Sequence, residues 1–263
     1  MSDAHQSALD ALGPWIARHE RPAWTPQTTT DDADRPVSKF GGRPLLQTEE
    51  TWPACRVCGL PFELLLQLDL AKASRVSGRD LGPGVLQLFY CVRETSCEPG
   101  WEPFNDQCSL CRVIPASGTA VADAAENSFP PRAIVGWTEV VDRPDPEEHD
   151  ALGLVYDYHF RETPHRPMEV TCPELGLRFE GAPIVNHLQA EISSRDGDKL
   201  SGWPRWVQGV EYPSCPECGR RMELLMQLDS EDNVPYMFGD CGIGHITQCW
   251  DHKHVVAFGW ACG

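Results

Sequence analysis

The chain has 263 residues, and 41% of them are hydrophobic, which is enough for one large or two small cores and too many for a disordered protein. No run of apolar residues is long enough to cross a membrane, and the first twenty residues lack the order of a secretory signal. The 22 basic and 39 acidic residues give a net charge of −17, with no basic cluster longer than Arg220–Arg221, which argues against direct nucleic-acid binding.

These properties predict a cytoplasmic protein without membrane contact. In that compartment, twelve cysteines indicate metal ligation more readily than disulfides. The acidic surface would suit a basic partner, although acidity can also serve solubility alone.

The N-terminal segment, 1–36, is predicted as a helix followed by a linker. Apolar residues fall near one face between positions 4 and 19, and Gly13-Pro14 is a possible break. The polar sequence TPQTTTDDADRP, from 25 to 36, is typical of a loop.

A 32-residue block then occurs twice, 160 positions apart. Lys39–Leu70 and Lys199–Ser230 align without a gap and agree at 13 of 32 positions. The duplication predicts two pseudo-symmetric β-rich repeats, at 37–114 and 199–263. The shared positions include chemically selective pairs: Cys55/Cys215, Cys58/Cys218, Gly59/Gly219, Glu63/Glu223, Gln67/Gln227 and Asp69/Asp229.

Each block ends in an apolar segment that reads as a strand, Phe62–Asp69 and Met222–Asp229, because apolar residues alternate along it. The acidic stretch from 115 to 198 has no counterpart and is interpreted as a connecting elaboration within one compact unit. The fold class is therefore mostly β (α+β), with a short N-terminal helix. Further strands are predicted at Val85–Cys91, Ser109–Ile114, Ala133–Val140, Met237–Phe238, His245–Cys249 and Val255–Trp260.

The C-x-x-C-G motif places two sulfurs on a tight turn, and its glycine permits positive φ. In the second repeat a C-x-x-H pair completes a four-ligand set. The predicted ligands are Cys215, Cys218, Cys249 and His252. The competitors for the fourth position are Cys241, Cys262, His245 and His254.

In the first repeat, aligning LQLFYC with the segment before Cys249 gives the corresponding set. The predicted ligands are Cys55, Cys58, Cys91 and Cys97. Cys108 and Cys111 form a third C-x-x-C pair just before a strand, and they are an alternative to Cys91 and Cys97.

Thiolate-rich sets of four protein ligands are typical of structural zinc, so we expect two structural zinc ions and no catalytic residue. A zinc deaminase would need an upstream His-x-Glu motif that is absent here. If the protein were a metal-dependent enzyme instead, Glu63, Asp69 or His254 would be its candidate residues.

Several motifs resemble those of the bacterial YwqG-like proteins of unknown function. They are SKFGG, W-P-x-C-x-x-C-G with its L-L-Q-L-D strand, LQLFYC and KLSGWPRWVQGVEYPSCPECG. The chain is more distantly similar to the eukaryotic programmed-cell-death-two/Tsr-four family. The resemblance covers about residues 12 to 263 and implies a duplicated β-rich fold with zinc. Cys108 and Cys111 depart from the pattern, which leaves the ligands of the first site open.

The eukaryotic relatives act as chaperones for a basic ribosomal protein, and some bacterial relatives are suspected immunity proteins. Residues and resemblance together favour a non-enzymatic zinc-binding module for protein interaction, a chaperone or adaptor for a basic polypeptide such as a ribosomal protein. The alternatives are an immunity protein that neutralises a bacterial toxin, and a metal-dependent enzyme.

Overall fold

A computed structural model describes residues 3–31, 33, 37–93, 97, 101–117, 119–122, 129–158 and 167–263. The helices in this part of the chain are α1 (Asp3–His19), α2 (Leu70–Ser77), α3 (Pro146–His149) and α4 (Ala182–Glu191). The strands are β1 (Arg21–Thr29), β2 (Lys39–Phe40), β3 (Leu45–Gln47), β4 (Glu63–Asp69), β5 (Val85–Tyr90), β6 (Ser109–Ile114), β7 (Thr119–Val121), β8 (Arg132–Asp142), β9 (Val155–Asp157), β10 (Glu169–Cys172), β11 (Leu177–Glu180), β12 (Lys199–Ser201), β13 (Glu223–Asp229), β14 (Ile243–Gln248) and β15 (Val256–Ala261).

One large sheet dominates the molecule. Within the described part of the chain, ten strands join in the order β15-β14-β13-β12-β1-β8-β2-β4-β5-β6. The two edge strands, β15 and β6, lie beside each other, so the sheet is nearly closed. The prediction of a mostly β fold is confirmed.

The strands β4 and β13 follow the cysteine turns, and both are buried along their centres on both faces. β4 pairs with β5 from Glu63↔Tyr90 to Asp69↔Val85, and β13 pairs with β14 in the same antiparallel way. Both pairings contain a register shift two residues after the strand begins. Leu65, Leu66 and Leu68 of β4 lie in the main core, whereas Leu64 packs beside the cysteines of the first turn. The burial is thus continuous along the strand and extends beyond the one-sided alternation of the sequence.

Strand β1 corrects the predicted linker, since it extends to Thr29 and includes the first five residues of the polar stretch. It pairs with β8 from Arg21↔Asp142 to Thr29↔Ala133. Polar side chains are tolerated because they pair across the strands, as Gln27 does when it donates to the Thr138 hydroxyl at 2.9 Å. Linker positions 32 and 34–36 lie outside the described residues.

One helix was not predicted from the sequence, and one predicted strand differs from the structure. Helix α2 follows β4 without a loop, because the Asp69 carboxylate accepts a hydrogen bond from the Lys72 amide at 3.0 Å and caps the helix. The predicted strand Met237–Phe238 is only an isolated bridge between Phe238 and Gly242.

A second hydrophobic cluster lies apart from the main core. Helix α1 continues through Gly13-Pro14 and packs with α4 and the small sheet β11-β10-β9 around Trp15, Val170 and Leu188. The N-terminal helix is thus confirmed, and the connecting segment supplies much of this cluster. The division of the chain into four segments stays a prediction. None of the helices in the described residues has the length and apolar composition needed to cross a membrane.

A buried ion pair joins the end of β8 to β12. The Lys199 ammonium lies 2.9 Å from the Asp142 carboxylate, and both side chains are fully buried. Asp142 also accepts hydrogen bonds from the Trp203 and Arg195 amides, at 2.8 Å each. Asp142, an acidic residue of the 115–198 stretch, therefore forms an internal ion pair and does not add to an acidic surface.

Two candidate metal centres

Both C-x-x-C-G sequences form the same tight turn. The Gly59 amide donates to the Cys55 carbonyl and the Gly219 amide to the Cys215 carbonyl, at 2.8 Å in both cases. The two glycines have φ of 73° and 71°, a conformation that side chains disfavour. Each turn therefore directs its two cysteines toward the same side.

The first cluster gathers the four predicted residues of the first repeat: Cys55, Cys58, Cys91 and Cys97. Their sulfurs all lie within 4.8 Å of one another. Cys91 follows β5, so the cluster joins the turn before β4 to the end of the neighbouring strand. Phe62, Leu64 and Phe89 surround the sulfurs with apolar side chains.

The second cluster gathers the four predicted residues of the second repeat: Cys215, Cys218, Cys249 and His252. It joins the turn before β13 to the end of β14, the equivalent position in the sheet. Cys215 and Cys249 are buried, whereas Cys218 is exposed. His252 directs Nδ1 to the cluster, and its Nε2 lies 3.5 Å from the Glu217 carboxylate. Such an outer carboxylate orients a metal-ligating histidine.

The separations within the clusters fit a shared tetrahedral ion. Bond lengths typical of zinc place two sulfurs about 3.8 Å apart and a sulfur and an imidazole nitrogen about 3.6 Å apart. The sulfur pairs Cys55–Cys97, Cys58–Cys91 and Cys218–Cys249 are separated by 3.6, 3.7 and 3.7 Å. The His252 nitrogen lies 3.6 Å from the Cys215 sulfur. All twelve cysteines lie in the described residues, and none forms a disulfide.

Each cluster contains one thiol with a lowered pKa. Burial opposes ionisation of Cys55, but hydrogen bonds from the Cys58 and Val57 amides lower its pKa to about 7. Burial likewise opposes ionisation of Cys249, and the His252 amide contributes to lowering its pKa to about 6. The thiolate is the form that binds metal, so these donors favour ligation by Cys55 and Cys249. In the first cluster, burial raises the pKa of Cys91.

The rival ligands are not members of the two four-residue clusters, but the Cys108 thiol contacts those of Cys55 and Cys97. Cys108 is fully buried beside the first cluster, where its carbonyl accepts from the Cys91 amide at 2.9 Å. Cys111 packs against the main core, and burial raises the pKa of its thiol. On the second side, His245 lies on β14 and His254 pairs with Glu217 at 2.7 Å. The two remaining rivals, Cys241 and Cys262, are also absent from the clusters.

The polar side chains after each turn serve the backbone. Gln67 accepts from the Leu45 amide and donates to the Val37 carbonyl, at 2.8 Å in each bond. Gln227 accepts from the Arg205 amide at 2.8 Å and donates to the Gly197 carbonyl at 2.9 Å. Both glutamines thus hold an incoming segment against a buried strand.

The three residues proposed for an enzyme do not converge. The Glu63 carboxylate accepts from the Phe129 amide at 2.9 Å, and burial raises its pKa. Asp69 caps α2, and His254 is an exposed partner of Glu217. Within the described part of the chain, these side chains bond to three different partners in three different places.

Sequence reasoning missed a group of arginines beside the second cluster. Arg21 and Arg79 are distant from Arg220–Arg221 in the chain, and the fold brings all four to one cleft. The adjacent pair Arg220–Arg221 is the one sequence signal that points to this place.

Comparison with known proteins gives the family. Residues 38–248 match the model described as "Domain of unknown function (DUF1963)". Because the match covers most of the 263 residues, the chain belongs to this family of unknown function. The matched range includes six of the eight cluster residues and ends before Cys249 and His252.

A curated relative matches locally. The "Uncharacterized protein YpfL" of Salmonella typhimurium, strain LT2, is 50% identical over 34 residues, which is 13% of this chain. The matched segment covers only 8% of the length of that relative. Neither comparison supports the similarity to the eukaryotic ribosomal-protein chaperones, which stays a prediction.

Proposed function

We propose that this protein is a non-enzymatic binding protein built from two pseudo-repeats, each held by a structural zinc ion. The two donor sets carry this proposal. Each consists of four protein side chains at tetrahedral separations, so a bound zinc would have no open position for water or substrate. Thiolate-rich closed sets of this kind stabilise folds and do not perform chemistry.

The placement of the clusters supports the pseudo-repeats. Lys39↔Gln67 and Lys199↔Gln227 are equivalent pairs in the sheet, and each cluster ties its turn to the next strand. The two sides, β2-β4-β5-β6 and β12-β13-β14-β15, flank the central pair β1-β8 in opposite order. Zinc would fix the turn-to-strand junction of each side.

The partner that fits this protein best is a basic polypeptide, bound in the manner of a chaperone or adaptor. The support is the net charge of −17, which would attract and orient a positively charged chain. Such attraction is screened by salt, which gives the proposal a measurable signature.

Capture from the native host tests the proposed partner. The tagged full-length chain should retain a polypeptide of positive net charge, identified by mass spectrometry, and release it as salt rises from about 50 to about 500 mM. Cys215→Ser should weaken capture, whereas Cys241→Ser, an exposed cysteine outside both clusters, should leave it unchanged.

A neutral or acidic partner, or capture that resists high salt, would contradict charge-driven binding. Metal-dependent turnover of any substrate by the zinc-loaded protein would contradict the non-enzymatic assignment itself.

A further inference from the structure

A cleft of about 540 Å³ opens beside the second cluster. Four arginines and one carboxylate line it: Arg21, Arg79, Arg220, Arg221 and Glu223. We refer to this place as the arginine cleft. Four guanidinium groups against one carboxylate make it locally positive in a chain whose net charge is −17. The local charge of the cleft is thus opposite in sign to the net charge of the chain.

Arg21 lies half-buried at the cleft without an ionic partner. Its guanidinium stacks 3.4 Å over the ring of Trp203, which is itself buried. Among the residues that the structure describes, its side chain makes no hydrogen bond or ion pair. Burial lowers its pKa, against the opposing influence of Tyr212, Glu223 and Glu148. A cation that is partly removed from water and has no carboxylate within ion-pair distance among the described residues is unfavourable, and an anion in the cleft would relieve it.

Arg79 is positioned just as firmly. Its Nη1 donates to the Ser201 hydroxyl at 3.1 Å and to the Leu224 carbonyl at 3.0 Å. No carboxylate of the described residues lies within ion-pair distance of it. Burial lowers its pKa. The two hydrogen bonds fix the guanidinium plane, and the remaining N–H groups suit a carboxylate or phosphate.

The other two arginines are partly neutralised. Arg220 lies 3.0 Å from the Asp251 carboxylate, and Arg221 lies 3.4 Å from that of Glu223. Both are exposed. Among the described residues, the arginines of the cleft that lack a carboxylate within ion-pair distance are therefore Arg21 and Arg79.

Two tryptophans give the cleft a planar, apolar character. Trp24 is buried and contributes to the wall, whereas Trp250 is 52% exposed. The Arg79 guanidinium lies 5.5 Å from the centre of the Trp250 ring. An exposed indole next to a fixed guanidinium can hold a ring whose anionic group bonds to the arginines.

We propose that the arginine cleft binds a small organic anion, a phosphate or carboxylate carried on a planar ring. Arg21 and Arg79 would hold the anionic group, and Trp250 would cover the ring. The volume favours a small molecule over a polymer, because pockets for such ligands measure about 300–1,000 Å³. This site is separate from a surface for a basic polypeptide, since its charge has the opposite sign.

Residues that follow the second cluster in sequence contribute to the lining of the cleft. Arg220 and Arg221 follow Cys218-Gly219, and Trp250 follows Cys249. Arg21 and Arg79 come instead from β1 and from the segment after α2. The two unpaired arginines are thus independent of the metal ligands in sequence, so the anion site can be tested whether or not the zinc proposal holds.

Titration calorimetry with four probes tests the ligand class on the protein as purified. Phenyl phosphate and benzoate each carry a ring and an anion, inorganic phosphate lacks the ring, and benzyl alcohol lacks the charge. We expect phenyl phosphate or benzoate to bind more tightly than either single-feature probe. Which of the two binds better identifies the anionic group.

Three variants and one control test the residues. Arg21→Gln and Arg79→Gln should each weaken the best probe about tenfold, since each removes a charge-assisted hydrogen bond. Trp250→Ala should weaken the ring-bearing probes and leave inorganic phosphate unchanged. Arg18→Gln is the control. It removes the same charge from α1, where Arg18 pairs with Glu174 at the surface, and this variant should bind the probes like the unmodified protein.

Arg79→Gln also loses two structural hydrogen bonds, so near-ultraviolet circular dichroism should be used to check that this variant is folded. If that variant unfolds, Arg21→Gln and Trp250→Ala carry the test, because Arg21 has no hydrogen bond to lose and Trp250 is exposed. Unchanged binding in Arg21→Gln and Trp250→Ala would overturn the proposal. So would the absence of saturable binding up to about 10 mM of every probe. A glutamate-rich peptide that binds where phenyl phosphate and benzoate do not would overturn the assignment to a small molecule.

Discussion

The two clusters share a turn and a position in the sheet, but their surroundings differ. In the first, three of the four sulfurs are buried, and aromatic and aliphatic side chains enclose them. In the second, Cys218 is exposed, His252 replaces a thiol, and charged residues lie around it. The same cysteine turn is therefore enclosed by apolar side chains on one side of the sheet and lies next to an open cleft on the other.

The strands next to the clusters show a second difference. Gln67 faces Gln87 on β5, whose amide donates to it at 2.9 Å. Gln227 instead faces His245 on β14, and the His245 Nε2 has no hydrogen-bond partner among the described residues. The second side thus carries a buried titratable group where the first carries an amide.

Loss of a ligand from either cluster should have the largest effect on stability. Cys55→Ser and Cys215→Ser should each lower the free energy of unfolding by about 5 kcal/mol, measured by urea titration. We expect the greater loss for Cys55→Ser, because the sulfurs left behind on the first side are more deeply buried. Cys241→Ser is the control and should change stability by less than about 0.5 kcal/mol. Losses no larger than the control's would show that neither cluster holds the fold.

The buried ion pair comes next. Lys199→Met should cost about 3–5 kcal/mol in urea unfolding, since the Asp142 carboxylate would stay buried without its counter-charge. The double variant Lys199→Met/Asp142→Asn should recover part of this loss, because the amide can be buried uncharged. A double variant less stable than the single one would mean that the packing of Lys199, not its charge, is what matters.

Acid should affect the second side through His245. Burial, together with the nearby Lys199, lowers the pKa of His245 to about 3. The unfolded chain takes up this proton near pH 6.5, so it binds more protons than the folded protein between these values. Stability should therefore fall as pH decreases from 6.5, by about 3 kcal/mol at pH 4 for this group.

His245→Gln, which copies the first side, isolates that effect. The difference in unfolding free energy between the variant and the unmodified protein should shift in favour of the variant as pH falls from 7 to 4. A difference that does not change with pH would show that His245 titrates normally in the folded protein.

The smallest effect concerns the ends of the two cysteine-linked strands. Asp69 caps α2, whereas Asp229 accepts from the Gly197 and Ser230 amides at 2.8 Å, and a turn follows it. Asp69→Ala should cost about 1 kcal/mol in urea unfolding through loss of the cap. Lys72→Ala is the matched control, because its side chain pairs with Asp69 only at 3.7 Å on the surface. Equal losses in both variants would assign the effect to the ion pair.

The cysteine spacing predicted which residues meet because a turn and a neighbouring strand are local elements. Cys55-x-x-Cys58 and Cys215-x-x-Cys218 each form a local turn. Cys91 and Cys249 come at the end of the next large-sheet strand, which runs back antiparallel toward that turn. Whether these residues bind zinc stays a prediction. The strand within Phe62–Asp69 was equally predictable from its apolar residues, because its centre is buried on both faces.

Features that depend on contacts between distant parts of the chain could not be predicted from the sequence. Strand β1 has a polar sequence from Thr25 onward, and only its long pairing with β8 makes it a strand. Helix α2 was missed because LLQLDL continues the apolar pattern, although Asp69 is of a residue type favoured at a helix N-cap. The arginine cleft collects its residues from five segments, and no local pattern links Arg21 to Arg79.

Elemental analysis of the purified protein tests the proposed structural metals most directly. We expect two zinc ions per chain, and one per chain in each of Cys55→Ser and Cys215→Ser, with two retained in Cys241→Ser. A protein that is folded and contains no metal, or a Cys215→Ser variant that keeps both ions, would contradict the proposal of one structural zinc on each side of the sheet.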